Sequence, residues 1–314
     1  MVVAVTGGSG FVGRHVLARL AEAGLAVRVL ARNPASIPTT ANMTVLAGDI
    51  TDRHALEQLC DGAQSVLHIA GAISGTSSHM SRINGQATGA LIGVAGRAGV
   101  TRFVHLSSLA AREPHLSPYG RSKAEGEAAV QAANGGFSTL IIRPPAVYGE
   151  GDKATLPLLK ALTAKTAMLP GAAAARFSLI HAADLAGICV GAIDSPVEGL
   201  REVDDGHGAY GWNEVADTLR GLCGRPVSLK FLPRPLAMAV GHAADGLAAL
   251  TRKPGMVSAG KMRELYHADW VARSPGWPRD DAIPLAEGMR RTLAWAMADG
   301  LLPQLPLADR SAAS

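Results

Sequence analysis

The chain has 314 residues, of which 48% are hydrophobic and 18% charged, enough apolar material for a sizeable core and too much for intrinsic disorder. Its 30 Lys and Arg against 26 Asp and Glu give a formal charge of +4, spread evenly without a block of like charge, so no nucleic-acid partner is expected. Cys60, Cys189 and Cys223 lie far apart without CxxC or Cys/His ligand spacing, which argues against a disulfide framework or a zinc site and fits a reducing, cytoplasmic setting.

From the amino terminus, VVAVT (Val2–Thr6) reads as a buried strand and Gly13–Ala23 as a helix. No basic n-region precedes this apolar start, so no secretory signal is expected. AVRVLA (Ala26–Ala31) and MTVLAGDI (Met43–Ile50) read as the next two strands. A helix over His54–Cys60 leads to SVLHIAG (Ser65–Gly71), and one over about Asn84–Gly96 leads to RFVHLSS (Arg102–Ser108). A further helix, over about Tyr119–Ala133, precedes STLIIRP (Ser138–Pro144). Apolar strands alternating with helices predict an α/β fold, a doubly wound (Rossmann) parallel sheet covered on both faces.

Past Tyr148 the alternation fades and Pro and Gly become frequent, which predicts a smaller, mostly helical C-terminal substrate lobe. The expected division is a nucleotide-binding sheet domain over residues 1–150 and a discontinuous lobe over 151–314. The chain is expected to return to the sheet near 177–203 and to end in a loose tail after Leu302. The apolar stretch Leu236–Leu250 contains His242 and Asp245 and is shorter than the ~20 residues a bilayer requires, so no transmembrane segment is expected. Lys230, Arg234, Arg252 and Lys253 flank it. A helix packed over the substrate pocket is the favoured reading, and an interfacial helix in peripheral membrane contact is the alternative.

TGGSGFVG (Thr6–Gly13) joins the first strand to the first helix. Gly7 permits the tight turn, Gly10 lets the backbone approach a pyrophosphate, and Gly13 allows close helix–strand packing. The helix amino terminus, with Phe11 and Val12 of the loop among the cofactor-binding candidates, then offers free N–H groups and a partial positive charge to a phosphate. A plain turn is the competing reading of the glycines. After the second strand, where an NAD site would place an acid on the ribose, the sequence holds Ala31 and Arg32. A guanidinium there can bind a 2′-phosphate and stack on adenine, which favours NADP(H), with NAD(H) left open. Asp49, followed by Ile50, is placed for the adenine amino group or, in the competing reading, for a helix N-cap.

Tyr119 and Lys123 in YGRSK stand i, i+4, on one helix face. A phenol with a pKa near ~10 is a poor acid–base catalyst at neutral pH, and a neighbouring ammonium together with an oxidised, cationic nicotinamide would lower that value. Upstream, Ser107 and Ser108 end a strand, where a hydroxyl can donate to a substrate oxygen. Chemistry alone does not separate the two serines.

The combination resembles the short-chain dehydrogenase/reductase superfamily in its extended, epimerase/dehydratase-like branch. The matching segments are TGGSGFVG, GDI, HIAG (His68–Gly71, with Ala70 and Gly71 at the cofactor), the helix-start Asn84, HLSS, YGRSK and RPPAVYGEGD (Arg143–Asp152). Ser178–Ala186 and Glu287–Leu302 look like later landmarks of that branch. The resemblance implies a proton-relay set of Asn84, Ser108, Tyr119 and Lys123, with Pro144, Ala146 and Val147 along the nicotinamide. For Asn84 an N-cap role competes with the relay. Lys123 would also hold the nicotinamide ribose.

Three functions remain in play. The apolar second lobe is similar to that of hydroxysteroid dehydrogenase and dihydroflavonol reductase-like members, which implies hydride transfer between NADP(H) and a carbonyl or hydroxyl of a small hydrophobic substrate. An NAD-dependent sugar-nucleotide epimerase or dehydratase would need cations for a diphosphate, for which Arg176, Arg201 and Arg279 are available. A non-catalytic NADP(H)-binding sensor or assembly subunit would keep the glycine loop without needing Tyr119 and Lys123. His54, His79, His105 and His115 show no metal-ligand spacing, and Glu150 and Asp152 read either as paired carboxylates or as a solvated turn. A homodimer is left open, because no decisive apolar stripe marks the Tyr–Lys helix.

Overall fold

The computed structural model describes residues 1–133, 136–164, 166–224, 228–251, 255, 257–273, 277 and 281–307. Arg252, Lys253, Arg279 and the end of the tail from residue 308 lie outside the described residues. In chain order the first part forms β1 (Val2–Thr6), α1 (Phe11–Glu22), β2 (Ala26–Ala31), β3 (Met43–Ala47), α2 (Arg53–Cys60) and β4 (Ser65–His68). It continues through α3 (Ser77–Met80), a π-helical turn (Ser81–Gln86), α4 (Ala87–Arg97), β5 (Arg102–Leu106), α5 (Pro118–Gln131) and β6 (Ser138–Arg143).

Then come β7 (Ala146–Tyr148), α6 (Leu156–Leu162), β8 (Thr166–Pro170), β9 (Arg176–Phe177), β10 (Leu179–His181), α7 (Ala182–Gly191) and β11 (Gly199–Glu202). The remainder is β12 (Tyr210–Gly211), α8 (Trp212–Cys223), β13 (Ser228–Leu232), α9 (Arg234–Thr251), α10 (Ala259–Leu265), β14 (Asp269–Trp270) and α11 (Leu285–Ala298).

Seven strands build one parallel sheet in the order β3-β2-β1-β4-β5-β6-β11. The order reverses between β1 and β4, which is where a doubly wound sheet opens a crevice at its carboxyl ends. The strands fit this position because β4 and β5 are buried along their whole length, and β1 in all but its first residue. One face is covered by α1 and α7, through Val16, Leu20, Leu185 and Ile188. The other is covered by α2 and α4, through Leu56, Leu59 and Leu91, with Val130 of α5.

A third core gathers Tyr148, Leu159, Leu162, Leu219 and Leu293 from the second part of the chain. Its helices are interleaved with three short sheets: β10 with β7, β12 with β9 and β14, and β13 with β8. All three cysteines are buried, and none forms a disulfide among the described residues. Among the described residues no helix is long and apolar enough to cross a membrane, and no cluster of metal-ligating side chains is present.

Two boundaries differ from the sequence reading in ways that touch the site. The third strand ends at Ala47, so Asp49 and Ile50 lie on the turn beyond the ladder. The helix expected from Asn84 starts at Ser77, where Thr76 Oγ1 accepts from the His79 amide at 3.1 Å. Asn84 is therefore no N-cap: it lies inside the helix, in the π turn, a deformation that re-aims side chains.

Candidate active site

The glycine loop packs its backbone too tightly for side chains. A Cβ on Gly7 (φ 80°) would stand 2.5 Å from the Ala70 amide nitrogen, and one on Gly13 would stand 2.0 Å from the Gly7 carbonyl oxygen. Gly10 donates its amide to that carbonyl at 3.0 Å and serves as the N-cap of α1 without a side-chain cap. The first amides of α1 are left to an outside acceptor, a cradle that fits a diphosphate.

A cleft of about 860 Å³ runs from this loop along the carboxyl ends of the strands. Gly7, Gly10, Phe11, Val12 and Gly13 line one part, and Arg32, Asp49 and Ile50 the next. Ala70, Gly71, Ser107, Ser108, Tyr119, Lys123, Pro144 and Val147 line the rest. The structure thus brings every candidate cofactor-binding and proton-relay residue named above to one cleft except Asn84 and Ala146. Ala146 points elsewhere because side chains alternate along β7, which turns Val147 alone to the cleft.

Arg32 is exposed at the cleft edge. Asp49 accepts the Thr51 hydroxyl at 2.6 Å and its amide at 2.9 Å. Those bonds, with the charges of Arg32 and Arg82, hold its carboxyl below the usual range against the opposing effect of burial. The N-cap of α2 is Asp52, which accepts from the His54 amide at 2.9 Å, so the capping role proposed for Asp49 belongs to its neighbour.

The two serines divide their work. Ser107 donates its hydroxyl to Glu127, which also receives Arg143 Nε at 2.7 Å. Ser108 N-caps the short helical turn after β5, with its hydroxyl within hydrogen-bonding reach of the Tyr119 phenol. Burial pushes that phenol up to about 12, against the Ser108 hydrogen bond and with help from the Glu264 charge. Lys123 Nζ donates to the Leu106 carbonyl at 2.6 Å. Burial brings Lys123 itself down to about 8, partly offset by Glu127.

Asn84 is buried behind the cleft wall. Its Oδ1 accepts from the Ala72 amide at 2.7 Å, and Nδ2 donates to the Ala72 carbonyl at 2.9 Å and to Ser122 Oγ at 2.8 Å. A Cβ on Gly71 would stand 3.2 Å from Asn84 Oδ1 and 3.8 Å from Lys123 Nζ, so Gly71 keeps the space between them open. Beneath lies His68, which accepts from Thr6 Oγ1 at Nδ1 (2.7 Å) and meets Thr88 Oγ1 at Nε2 (2.9 Å). Thr88 Oγ1 donates onward to the Asn84 carbonyl at 2.7 Å, so Nε2 carries the proton and the imidazole is neutral. Burial, with the Lys123 charge, brings His68 down to about 3.

Sequence reasoning missed Glu127 and the Asn84 clamp. Glu127 was signalled by its place four residues after Lys123 on the Tyr119 face. Glu150 and Asp152, read as possible paired carboxylates, hold the loop that rims the cleft. Glu150 Oε2 faces His181 Nε2 at 3.2 Å, and Asp152 accepts from the Ala154 amide at 2.9 Å. Arg176 belongs to a separate groove beside Trp212, and Arg201 donates to the Leu200 carbonyl at 2.9 Å.

Residues 3–204 match the NAD dependent epimerase/dehydratase family. The chain is 38% identical over 312 residues to a ceramide reductase of Caulobacter vibrioides, covering 96% of each protein. A 3 beta-hydroxysteroid dehydrogenase/Delta 5-->4-isomerase of Mycobacterium tuberculosis is 34% identical over 178 residues, 48% of each chain. Among solved structures, the Bordetella bronchiseptica enzyme WbmH in complex with NAD+ aligns over 95% of this chain and 99% of its own, with a TM-score of 0.70 and 18% identity, a likeness of fold.

Proposed function

The chain belongs to the NAD dependent epimerase/dehydratase family and is an NAD(P)-dependent oxidoreductase of the extended short-chain dehydrogenase/reductase type, and from that premise we propose that it reduces the keto group of a ceramide-class lipid with NADPH. The observation that carries this reading is the whole-length match to the ceramide reductase, at 38% identity and 96% coverage of both chains. An apolar substrate also suits the cleft mouth, where Ile73 stands 57% exposed.

In this reading residues 1–150 hold the cofactor and the discontinuous remainder shapes the substrate side. The glycine loop and the amino terminus of α1 hold the diphosphate. Arg32 binds the 2′-phosphate, which favours NADP(H) over NAD(H). Asp49 and Ile50 border the adenine, Ala70 and Gly71 support the ribose, and Pro144 and Val147 lie along the nicotinamide. When bound, the reduced nicotinamide supplies a hydride to the substrate's carbonyl carbon.

Ser108 donates a hydrogen bond to the carbonyl oxygen and stabilises the negative charge that develops there. Tyr119 gives its phenolic proton to the same oxygen. A phenol held near 12 is fully protonated at neutral pH, the form that a reduction requires. Lys123, near 8 and anchored on Leu106, grips the ribose hydroxyls and passes a proton back to Tyr119. Asn84 acts as a positioning residue, fixing Ala72 and Ser122 around this group. The test is turnover of a detergent-dispersed keto ceramide with NADPH and with NADH, beside a nucleotide sugar as the competing substrate. Conversion of the nucleotide sugar alone would overturn the reading.

A further inference from the structure

Helix α9 presents its apolar side to solvent. Of its 18 residues only Ala237 and Gly241 are buried. They form a narrow strip against the start of α10, so close that a Cβ on Gly241 would stand 2.8 Å from the Ala259 Cα. Leu236, Val240, Leu247 and Leu250 are 52%, 48%, 61% and 86% exposed. Their spacing of i, i+4, i+11 and i+14 confines them to about 80° of arc on a helix turning ~100° per residue. With Val257 they make up five of the eight exposed large hydrophobic side chains among the described residues. A ridge of this kind, about 21 Å long at ~1.5 Å per residue, marks an interaction surface. None of the α9 residues lines the cleft.

Charge identifies the occupant. Exposed Lys230 on β13 pairs in register with Met168, itself 54% exposed on β8, and exposed Arg234 opens α9. Neither cation forms an ion pair among the described residues. In the sequence, Arg252 and Lys253 directly follow the helix. The single acid of α9, Asp245, falls on the side opposite the leucines and accepts from the Ala259 amide at 3.0 Å. An apolar ridge with cations at its start and its one acid on the opposite side of the helix is complementary to an anionic lipid surface.

We propose that α9 is an interfacial docking helix that lays the Leu236–Leu250 ridge on an anionic bilayer, with Lys230 and Arg234 at the headgroups. The placement serves the reaction, and in this respect the inference rests on the lipid-substrate reading. α10 carries α9 to the amino terminus of the Tyr119 helix: Arg263 Nε donates to the Leu116 carbonyl at 2.7 Å, and Ser117, the N-cap of α5, donates to Glu264. Docking through α9 therefore holds the Tyr119 helix near the phase in which a long-chain substrate resides.

The experiment is flotation of the full chain with vesicles of neutral phosphatidylcholine, with and without anionic phosphatidylglycerol. Wild type is expected to float with the anionic vesicles, and Leu247→Asp/Leu250→Asp to lose at least about tenfold in bound fraction. Lys230→Glu/Arg234→Glu is expected to lose binding to anionic vesicles while keeping the wild-type melting curve, which guards against a folding artefact in the first variant. Wild type remaining in solution, or binding equally to neutral vesicles, would overturn the proposal. So would light scattering that shows a wild-type dimer dissociated by the leucine substitutions, since the ridge would then be covered by a second copy. Turnover of a detergent-dispersed keto lipid separates the two readings. No flotation with intact turnover rejects the docking alone, and flotation without turnover rejects the lipid-ketone substrate alone.

Discussion

Lys123 Nζ is anchored at 2.6 Å on the carbonyl of Leu106, the residue that ends β5 immediately before Ser107 and Ser108. This bond ties the helix carrying Tyr119 to the strand end that supplies Ser108. Burial raises the Tyr119 phenol to about 12.

Tyr119→Phe is expected to lower kcat by about 10²–10⁴ while leaving the dissociation constant for NADPH within about twofold, since the phenol gives a proton and Phe preserves the ring. Steady-state turnover beside a fluorescence titration of NADPH measures both. Near wild-type turnover in this variant would remove Tyr119 from the chemistry.

Arg32→Glu is expected to weaken NADPH binding by about ten- to a hundredfold, the size of a lost charge-assisted hydrogen bond, and to leave NADH binding unchanged or tighter. Parallel titrations of the two cofactors decide it. Equal loss for both would mean that Arg32 acts on a part of the molecule they share.

Asn84→Ala removes both sides of the Ala72 clamp and strands buried backbone groups, at a cost of about 1–3 kcal/mol. Asn84→Asp keeps an acceptor for the Ala72 amide but loses the donor to Ser122. Denaturant melts and a KM-against-kcat comparison of the two variants should place Asp between wild type and Ala. Wild-type values for both would show the clamp to be dispensable.

His68 has an ordinary value of 6.5, lowered to about 3 by burial and the Lys123 charge. Between those values the unfolded chain binds a proton that the folded chain does not, so this contribution to stability is complete above about pH 6.5 and is lost as pH falls toward about 3. His68→Asn is expected to flatten the stability curve in that window by up to about 1.4 kcal/mol per pH unit, the slope of one proton. Urea melts at a series of pH values test this, and parallel curves for the two proteins would contradict it.

Much of this was legible in the sequence because it rests on short-range rules. The strand–glycine loop–helix run of Val2 to Glu22, the Tyr119–Lys123 spacing and the strand-end serines depend on local periodicity and on glycine at two crowded positions. What was not legible depends on contacts between distant segments. The placement of Asn84 inside a π turn is set by Ala72 and Ser122, and Ser107 is engaged by Glu127. A similar limit applies to α9, whose apolar composition suits burial and exposure equally until its packing partner is known.

The central claim is reduction of a lipid ketone by hydride from NADPH, and the most direct measurement is isotope transfer. The protein is given NADPH carrying deuterium at nicotinamide C4 together with a keto ceramide in detergent, and the product is analysed by mass spectrometry. Deuterium on the new carbinol carbon in wild type, with product formation lost in Tyr119→Phe, is the expected result. An unlabelled alcohol, or no conversion of the ketone while a nucleotide sugar is turned over, would contradict it.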